Sequence, residues 1–412
     1  METIHETETM SHLRRLCEIG PRPIGSKANH AAAEYIRGVF RSAGLEVVDQ
    51  TFQCPDWETR ESWAEIEGLR LRAEANVFSP SVDVTAPTVA LGSIPELERS
   101  ELQGRIGVLY GDLAARPLTP KGCTIYQHER DQRVNRLLEE KRPLALITVS
   151  PRIGSVERVI EDWSLEIASA TVPPEVGLSL LQRIGDPVRL RIVTESSLGY
   201  SCNVVADRPG VREGRIVICA HYDTKIETPG AGDDAAGIAA VLTLAHLLPA
   251  RYPGVGLEFI AFSAEEYGAS QDDTEFYVRC RGDAMGGITA AINMDLVGQR
   301  LGTTAISMMA SSETFRDSVD ALLKERAGLI WTEPWPESNH STFALRGVPA
   351  VAINCKGITN LTHMPEDTMD WIGEKKLGEV VEIVSAIVGG LQDKSVDWTR
   401  EARCDLDRTT AI

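Results

Sequence analysis

RIVICAHYDTKIETPGAGDDAAGIAAVLTLAHLL, residues 215–248, sets the architecture of this chain. An apolar run, Ile216–Ala220, ends in His221 and Asp223; turn residues gather around Pro229 and Gly230; Asp234–Leu248 is then apolar almost throughout. A short apolar run rich in β-branched residues and bounded by turn signals reads as a strand buried on both faces, and a longer one as a buried helix. The alternation continues outward. GLEFIAFSAEE (256–266) is a strand, a helix carries Phe276 and Val278, and ITAAINMD (288–295) is a strand. Glu313–Arg326 is a helix, VPAVAIN (348–354) a strand, and Lys375–Leu391 an amphipathic terminal helix. Strands alternating with helices imply an α/β fold, a mostly parallel mixed sheet between helices, with ligands collected outside the carboxyl ends of its strands.

Upstream, the helical pattern of Met10–Phe40 is broken by GPRPIGS at Gly20–Ser26, where prolines and glycines stop one helix and start another. Asn29–Ser42 places Ala33, Ile36, Val39 and Phe40 at helical spacing, Gly44 sits where a C-cap glycine belongs, and LEVVDQTF follows as a strand. Between about Arg60 and Ser197 the texture changes to short strands (Thr88–Leu91, Arg105–Tyr110, Leu144–Val149, Val188–Val193) with one helix, Asp131–Lys141. No His, Cys or acidic residues cluster there at ligand spacing. The expected division is therefore 1–60 as the start of one domain, 61–197 as a β-rich inserted domain, 198–395 as the rest of the first domain, and 396–412 as a tail.

The chain has 412 residues, 43% hydrophobic and 25% charged, which is a globular composition long enough for about two cores on a prior of roughly 150 residues each. Its formal net charge of -18 argues against nucleic-acid and anionic-membrane partners, since both select basic surfaces. The N-terminal METIHETETMSHLRRLCEIGPRP lacks the basic start and apolar core of a secretory signal, and Ile238–Leu248 fits a buried helix better than a membrane span, so a cytoplasmic location is expected. The eight cysteines are scattered, without CxxC or zinc-finger spacing. Cys202 and Cys219 lie on strands able to pair, which leaves a disulfide open beside the preferred reading of buried free thiols.

The chemistry lies at the strand ends. His221 and Asp223 end one strand, Asp233 and Asp234 open the next helix, Glu265 and Glu266 end the second strand, and Asp295 ends the third. Carboxylates brought together along one sheet edge repel and take up protons unless a positive charge sits among them. A metal ion supplies it, and a mixed His/carboxylate set suits zinc, with manganese or cobalt next in order.

The series HYD, AGDDAAG, AEEYG, NMDLVG, SNHSTF with GVPA, and THMPEDT resembles the co-catalytic zinc aminopeptidase and glutamate carboxypeptidase family, from Ser197 to about Leu391. GPRPIGSKANHAAAEYI resembles that family's opening segment. ELQGRIGVLYGDL, RPLALITVS and ATVPPEVGLSLLQRIG resemble, more loosely, a protease-associated domain. The resemblance implies a three-layer zinc-exopeptidase fold and two zinc ions per chain. Asp233 would bridge them, with His221 and Asp295 completing one site and Glu266 and His363 the other. It also implies Glu265 as general base and Asp223 as the group that holds the His221 imidazole in its ligating tautomer. Two such cations acidify a shared water, Glu265 takes its proton, and the scissile peptide carbonyl is attacked.

The sequence departs from the family pattern in places. Ser338-Asn339-His340 has an amide where an acid is usual, Trp335 stands where some relatives carry tyrosine, and Met364 follows His363 where threonine is usual, while Asp367 and Thr368 are retained. Trp335 and Asn339 are expected at the substrate, and His340 as a polar catalytic contact. Asp272 and Asp273 could attract a substrate amine, with a solvated turn the preferred reading. The expected activity is hydrolysis of N-terminal residues from peptides by a chain that could form a homo-oligomer. The alternatives are a carboxypeptidase or dipeptidase, for which Arg300, Arg346 and Lys356 are available cations, or a single-zinc glutaminyl-cyclase-like acyltransferase.

Overall fold

The strand Arg215–His221 (β2) is buried on both faces: Ile216, Ile218 and Ala220 enter one core, and Val217 and Cys219 another. That is the period-2 alternation of a strand covered by helices on each side. In the computed structural model, residues 2–123, 128–154, 156–267, 273–357 and 361–400 are described. β2 belongs to a mixed sheet with β1 (Pro187–Arg208), β3 (Leu257–Phe262), β4 (Ile288–Met294), β5 (Thr303–Met309), β6 (Leu329–Trp331) and β7 (Ala350–Lys356), in the order β6-β5-β7-β4-β2-β3-β1. The central strands β3, β2, β4 and β7 run parallel; β1 runs against β3, and β5 runs against β7 but parallel to β6. The α/β architecture with a mostly parallel sheet between helices is the one the alternation predicts.

Five long helices serve this sheet: α1 (Glu2–Ile19), α2 (Lys27–Ser42), α3 (Ala236–Arg251), α4 (Glu313–Lys324) and α5 (Glu374–Leu391). α3 is buried from Ala236 to Ala245, as its unbroken apolar sequence requires, and is packed against α1, α2 and α5. α2 is amphipathic, and Ala32, Ala33, Ile36 and Phe40 face the core. Its N-cap is Ser26, whose hydroxyl accepts from Asn29 N at 3.1 Å. Its C-terminus closes with Leu45 N on Phe40 O at 3.2 Å and Gly44 N on Arg41 O at 3.0 Å, with Gly44 at φ 76°. This pair of bonds needs a left-handed residue, which glycine supplies.

The chain divides into two compact units, one of residues 1–53, 200–266 and 271–412, the other of 54–199 and 267–270. It crosses between them within continuous strands, Glu46–Ile66 and Pro187–Arg208. The second unit has a parallel set of its own, Val82–Leu91, Ile106–Leu109, Ala145–Val149 and Ser169–Val172, with helices Glu129–Lys141 and Pro174–Leu181. Strands predominate in this unit, as the β-rich expectation has it; Ser169–Val172 and Pro174–Leu181 are too short for a period to mark them in the sequence.

One local expectation holds and one changes. Cys202 and Cys219 are free thiols, because β3 lies between β1 and β2 and keeps their strands apart. The second strand stops at Phe262, so Glu265 and Glu266 stand on a 3₁₀ turn, Glu265–Tyr267, and strand alternation does not decide where they point.

Nothing lies within 4 Å of a Cβ built on Gly44, so Gly44→Ala tests the backbone term alone. It is expected to lower stability by about 1–2 kcal/mol, read as a lower denaturation midpoint with unchanged far-UV circular dichroism.

Candidate metal centre

Parallel register brings the strand ends level. Phe262 pairs with His221 across β3 and β2, and Asn293 pairs with Cys219 across β4 and β2, which places Asp295 beside His221 two residues further on. The 3₁₀ turn after β3 and the segment leading into α3 then deliver Glu265, Glu266, Asp233 and Asp234 to the same edge.

Asp233 is the hub. Its Oδ1 lies 3.2 Å from His221 Nε2 and its Oδ2 lies 3.3 Å from His363 Nε2. Around His221, Asp295 Oδ1 and Glu265 Oε2 each approach Nε2 to 3.9 Å. Around His363, Glu266 Oε2 stands 3.1 Å from Nε2. His221, Asp233 and Glu266, and again His221, Asp234 and Asp295, hold potential ligand atoms within 4.8 Å of one another. All five expected ligands, together with Glu265, are thus assembled, and Asp234 joins them. Asp234 Oδ1 accepts from Gly237 N at 3.1 Å, and its Oδ2 is buried without a partner among the described residues.

The electrostatics of this cluster call for a cation. Burial holds the Glu265 carboxyl well above the usual range despite His221, and Asp295 and Glu266 add to the rise. Burial pushes Asp295 up to about 6, and Asp233 and Glu266 work in the same direction. Burial opposes charge on His221 and His363, yet the surrounding carboxylates hold both well above the usual imidazole value. Glu266 Oε1 is buried with no hydrogen-bond partner among the described residues. Imidazole nitrogens, converging carboxylates and an orphaned buried oxygen form a donor set that a divalent ion such as zinc fits.

The surrounding bonds orient these donors. His221 Nδ1 faces the Asp223 backbone carbonyl at 3.2 Å and its carboxylate at 3.6 Å, which turns Nε2 towards Asp233. The Asp223 carboxylate also accepts from Glu265 N at 3.3 Å and Glu266 N at 3.2 Å, so one acid orients the imidazole and holds the turn bearing both glutamates. Asp367 accepts from Gly232 N at 2.8 Å and Asp233 N at 3.0 Å. Ser338 bonds Asp295 and accepts from Asn293 Nδ2 at 2.9 Å. Four residues in the left-handed region flank or belong to the cluster: Ala264 (φ 80°), Leu296 (φ 57°), Ser338 (φ 123°) and His363 (φ 63°). Backbone in that region costs about 1–3 kcal/mol per residue and persists where its surroundings enforce it.

The SNH segment is placed differently. His340 is buried, with Nε2 donating to Trp335 O at 2.7 Å and Nδ1 facing Asn293 Nδ2 at 3.5 Å. Burial pushes its pKa down to about 4, so the ring is neutral and both nitrogens are engaged within the chain. Trp335 stacks edge-on against it at 4.5 Å, and its indole Nε1 is buried without a partner among the described residues. Asn339 is buried at the start of the helix His340–Ala344. Arg346 turns back to Thr342 O at 3.0 Å. Lys225 places a cation beside the cluster, its Nζ bonding Glu266 O. Sequence reasoning passed over Lys225, Ser338 and the paired role of Asp223, since each contact joins segments distant in the chain. Asp272 and the side chain of Asp273 lie outside the described residues.

Residues 203–388 match the family described as Peptidase family M28. Over 93% of this chain and 84% of its own length, Aminopeptidase YwaD of Bacillus subtilis is 21% identical. The structure of an aminopeptidase from Aneurinibacillus sp. strain AM-1 superposes with a TM-score of 0.75 at 22% identity, covering 98% of this chain and 96% of that one. BSAP, a zinc aminopeptidase from Bacillus subtilis, superposes with a TM-score of 0.77 at 21% identity over 96% and 98% of the two chains. At such identity the structures establish a shared fold. The matched residues, 203–388, include His221, Asp233, Glu266, Asp295 and His363.

Proposed function

We propose that this chain is a zinc-dependent aminopeptidase, with one ion held by His221, Asp233 and Asp295 and a second by Asp233, Glu266 and His363. The observation that carries the reading is the disposition of Asp233, with one carboxylate oxygen turned to each of two imidazoles. Zinc bound to such a set supplies Lewis acidity that polarises a carbonyl and makes a neighbouring water acidic near neutral pH. The relatives named as aminopeptidases, one of them a zinc enzyme by title, support the substrate class.

The remaining work falls to the chain. Side-chain exposure separates the two glutamates: Glu265 is 20% exposed and Glu266 2%. The accessible Glu265 is placed to take a proton from water and return it to the leaving amine, while the enclosed Glu266 serves as a ligand. His363, 33% exposed, marks the open side of the centre. Trp335 offers a buried indole N–H with no partner among the described residues, a donor for a substrate carbonyl. His340, neutral and bonded at both nitrogens, positions the Trp335–His340 segment and transfers no proton.

The deciding assay compares free and N-acetylated peptides with and without a chelator. Cleavage of the free peptides alone, abolished by chelation and restored by zinc, is the expected result; equal cleavage of both peptides would overturn the reading in favour of a carboxypeptidase. Glu265→Gln is expected to keep its zinc content while kcat falls by about 10²–10⁴-fold. Loss of zinc in that variant, measured by elemental analysis, would show that the two glutamates have the opposite roles.

A further inference from the structure

Arg22 is fully buried, and no carboxylate lies within ion-pair distance of it among the described residues. Its guanidinium is spent on backbone carbonyls. Nε donates to Tyr222 O at 2.8 Å, Nη2 to Gly230 O at 3.0 Å, and Nη1 to Pro229 O and Gly20 O at 3.0 Å each and to Leu16 O at 3.3 Å. Tyr222 sits between His221 and Asp223, and Gly230 three residues before Asp233. One rigid fork therefore ties together the two segments that present the ligands on either side of Asp233.

The local sequence makes the fork possible. Arg22 lies between Pro21 and Pro23, and a residue before proline is driven into extended backbone. In that state its N–H donates to Thr224 Oγ1 at 2.8 Å, and its carbonyl accepts from Thr224 N at 3.3 Å and Asn29 Nδ2 at 3.3 Å. Asn29 Nδ2 in turn reaches Ser263 Oγ at 3.1 Å, next to Ala264 and the glutamate turn. Gly230, at φ 60°, has no room for a side chain: a Cβ there would collide with Thr224 and with Asp233 O, and would stand 3.1 Å from Arg22 Nη2. Burial opposes the charge on Arg22, while the fields of Asp223, Asp367 and Asp234 sustain it. A guanidinium suits this place because its planar fork reaches several carbonyls at once, which an ammonium cannot reproduce.

We propose that Arg22 is a positioning residue for metal binding, fixing the spacing between the His221–Asp223 segment and the Gly230–Asp233 segment and thereby the affinity of the centre for zinc. This rests on the zinc-enzyme reading above. The test titrates Zn²⁺ into the chelator-stripped full chain, wild type and Arg22→Lys, and records zinc affinity together with the thermal midpoint before and after loading. Arg22→Lys is expected to bind zinc about 10–100-fold more weakly, the range seen for groups that orient ligands, and to show a smaller zinc-linked rise in midpoint. A merely structural arginine would lower the midpoint of stripped and loaded protein alike and leave affinity unchanged; that result overturns the proposal. If Arg22→Lys does not fold, Thr224→Val decides, since it removes the bond from Arg22 N, together with the hydroxyl's bond to Lys225 O, and leaves the guanidinium in place. Weakened zinc binding upholds the proposal, and wild-type affinity ends it. Failure of the wild type to bind zinc would instead remove the zinc-enzyme reading itself.

Discussion

Carboxylates that converge in a buried place repel one another, and everything around Asp233 answers to that constraint. Asp233, Asp234, Glu266 and Asp295 are all buried at the carboxyl edge of strands whose other residues are apolar. Each ion removed from water costs several kcal/mol even after relaxation, and only closely matched opposite charge recovers it. His221 and His363 supply part of the match through their Nε2 atoms. The unpartnered oxygens of Glu266 and Asp234 show where protein atoms alone do not complete it. A site that is electrostatically unfinished without a cation is poised to bind one.

The scaffold holding these groups uses bonds to backbone. Asp223 and Asp367 are themselves acids, yet each spends its carboxylate on two backbone N–H groups, fixing the glutamate turn and the Gly232–Asp233 segment respectively. Hydrogen bonds to charged groups contribute about 1.5–3 kcal/mol each, comparable in size to the cost of the left-handed residues at Ala264, Leu296, Ser338 and His363. Arg22 works in the same currency with opposite sign, donating to carbonyls behind the same segments. Strain next to the ligands and strong bonds behind them together fix the donors with little freedom to adapt.

Much of this was legible in the sequence, for a physical reason. An apolar strand must be buried, and a polar residue at its end must be at the sheet edge, so His221 and Asp295 could be located without knowing what they bind. Their parallel register then made them neighbours. Glu265 and Glu266 were legible as members of the site but not as individuals, because the strand ends at Phe262 and the turn that follows carries no periodicity. His363 was reached through family resemblance alone: its segment belongs to no regular element, and its backbone is left-handed. Arg22, Ser338 and Lys225 were illegible as site residues. What each does depends on a contact hundreds or tens of residues away, and a lone Arg, Ser or Lys in a loop has no pattern to mark it.

The reach of Arg22 bears on how large the functional unit must be. The family match begins at residue 203, yet α3, which follows Asp233 directly, is buried from Ala236 to Ala245 and is covered in part by α1 and α2. Leu13 and Leu16 of α1 and Ile36 and Phe40 of α2 enter the same core as Ile216, Ile218 and Ala220 of β2. Residues 203–388 by themselves would expose that face of α3, leave the carbonyls of Tyr222 and Pro229 without the Arg22 donor, and leave Gly230 O with its bond from Ala235 N alone. The first 53 residues therefore belong to this unit in the strict sense that its core and the segments bearing the candidate ligands are incomplete without them. Although residues 54–199 intervene in the chain, the N-terminal segment is placed by the same hydrophobic burial that sets the sheet, and its arginine converts that packing into the geometry of the site.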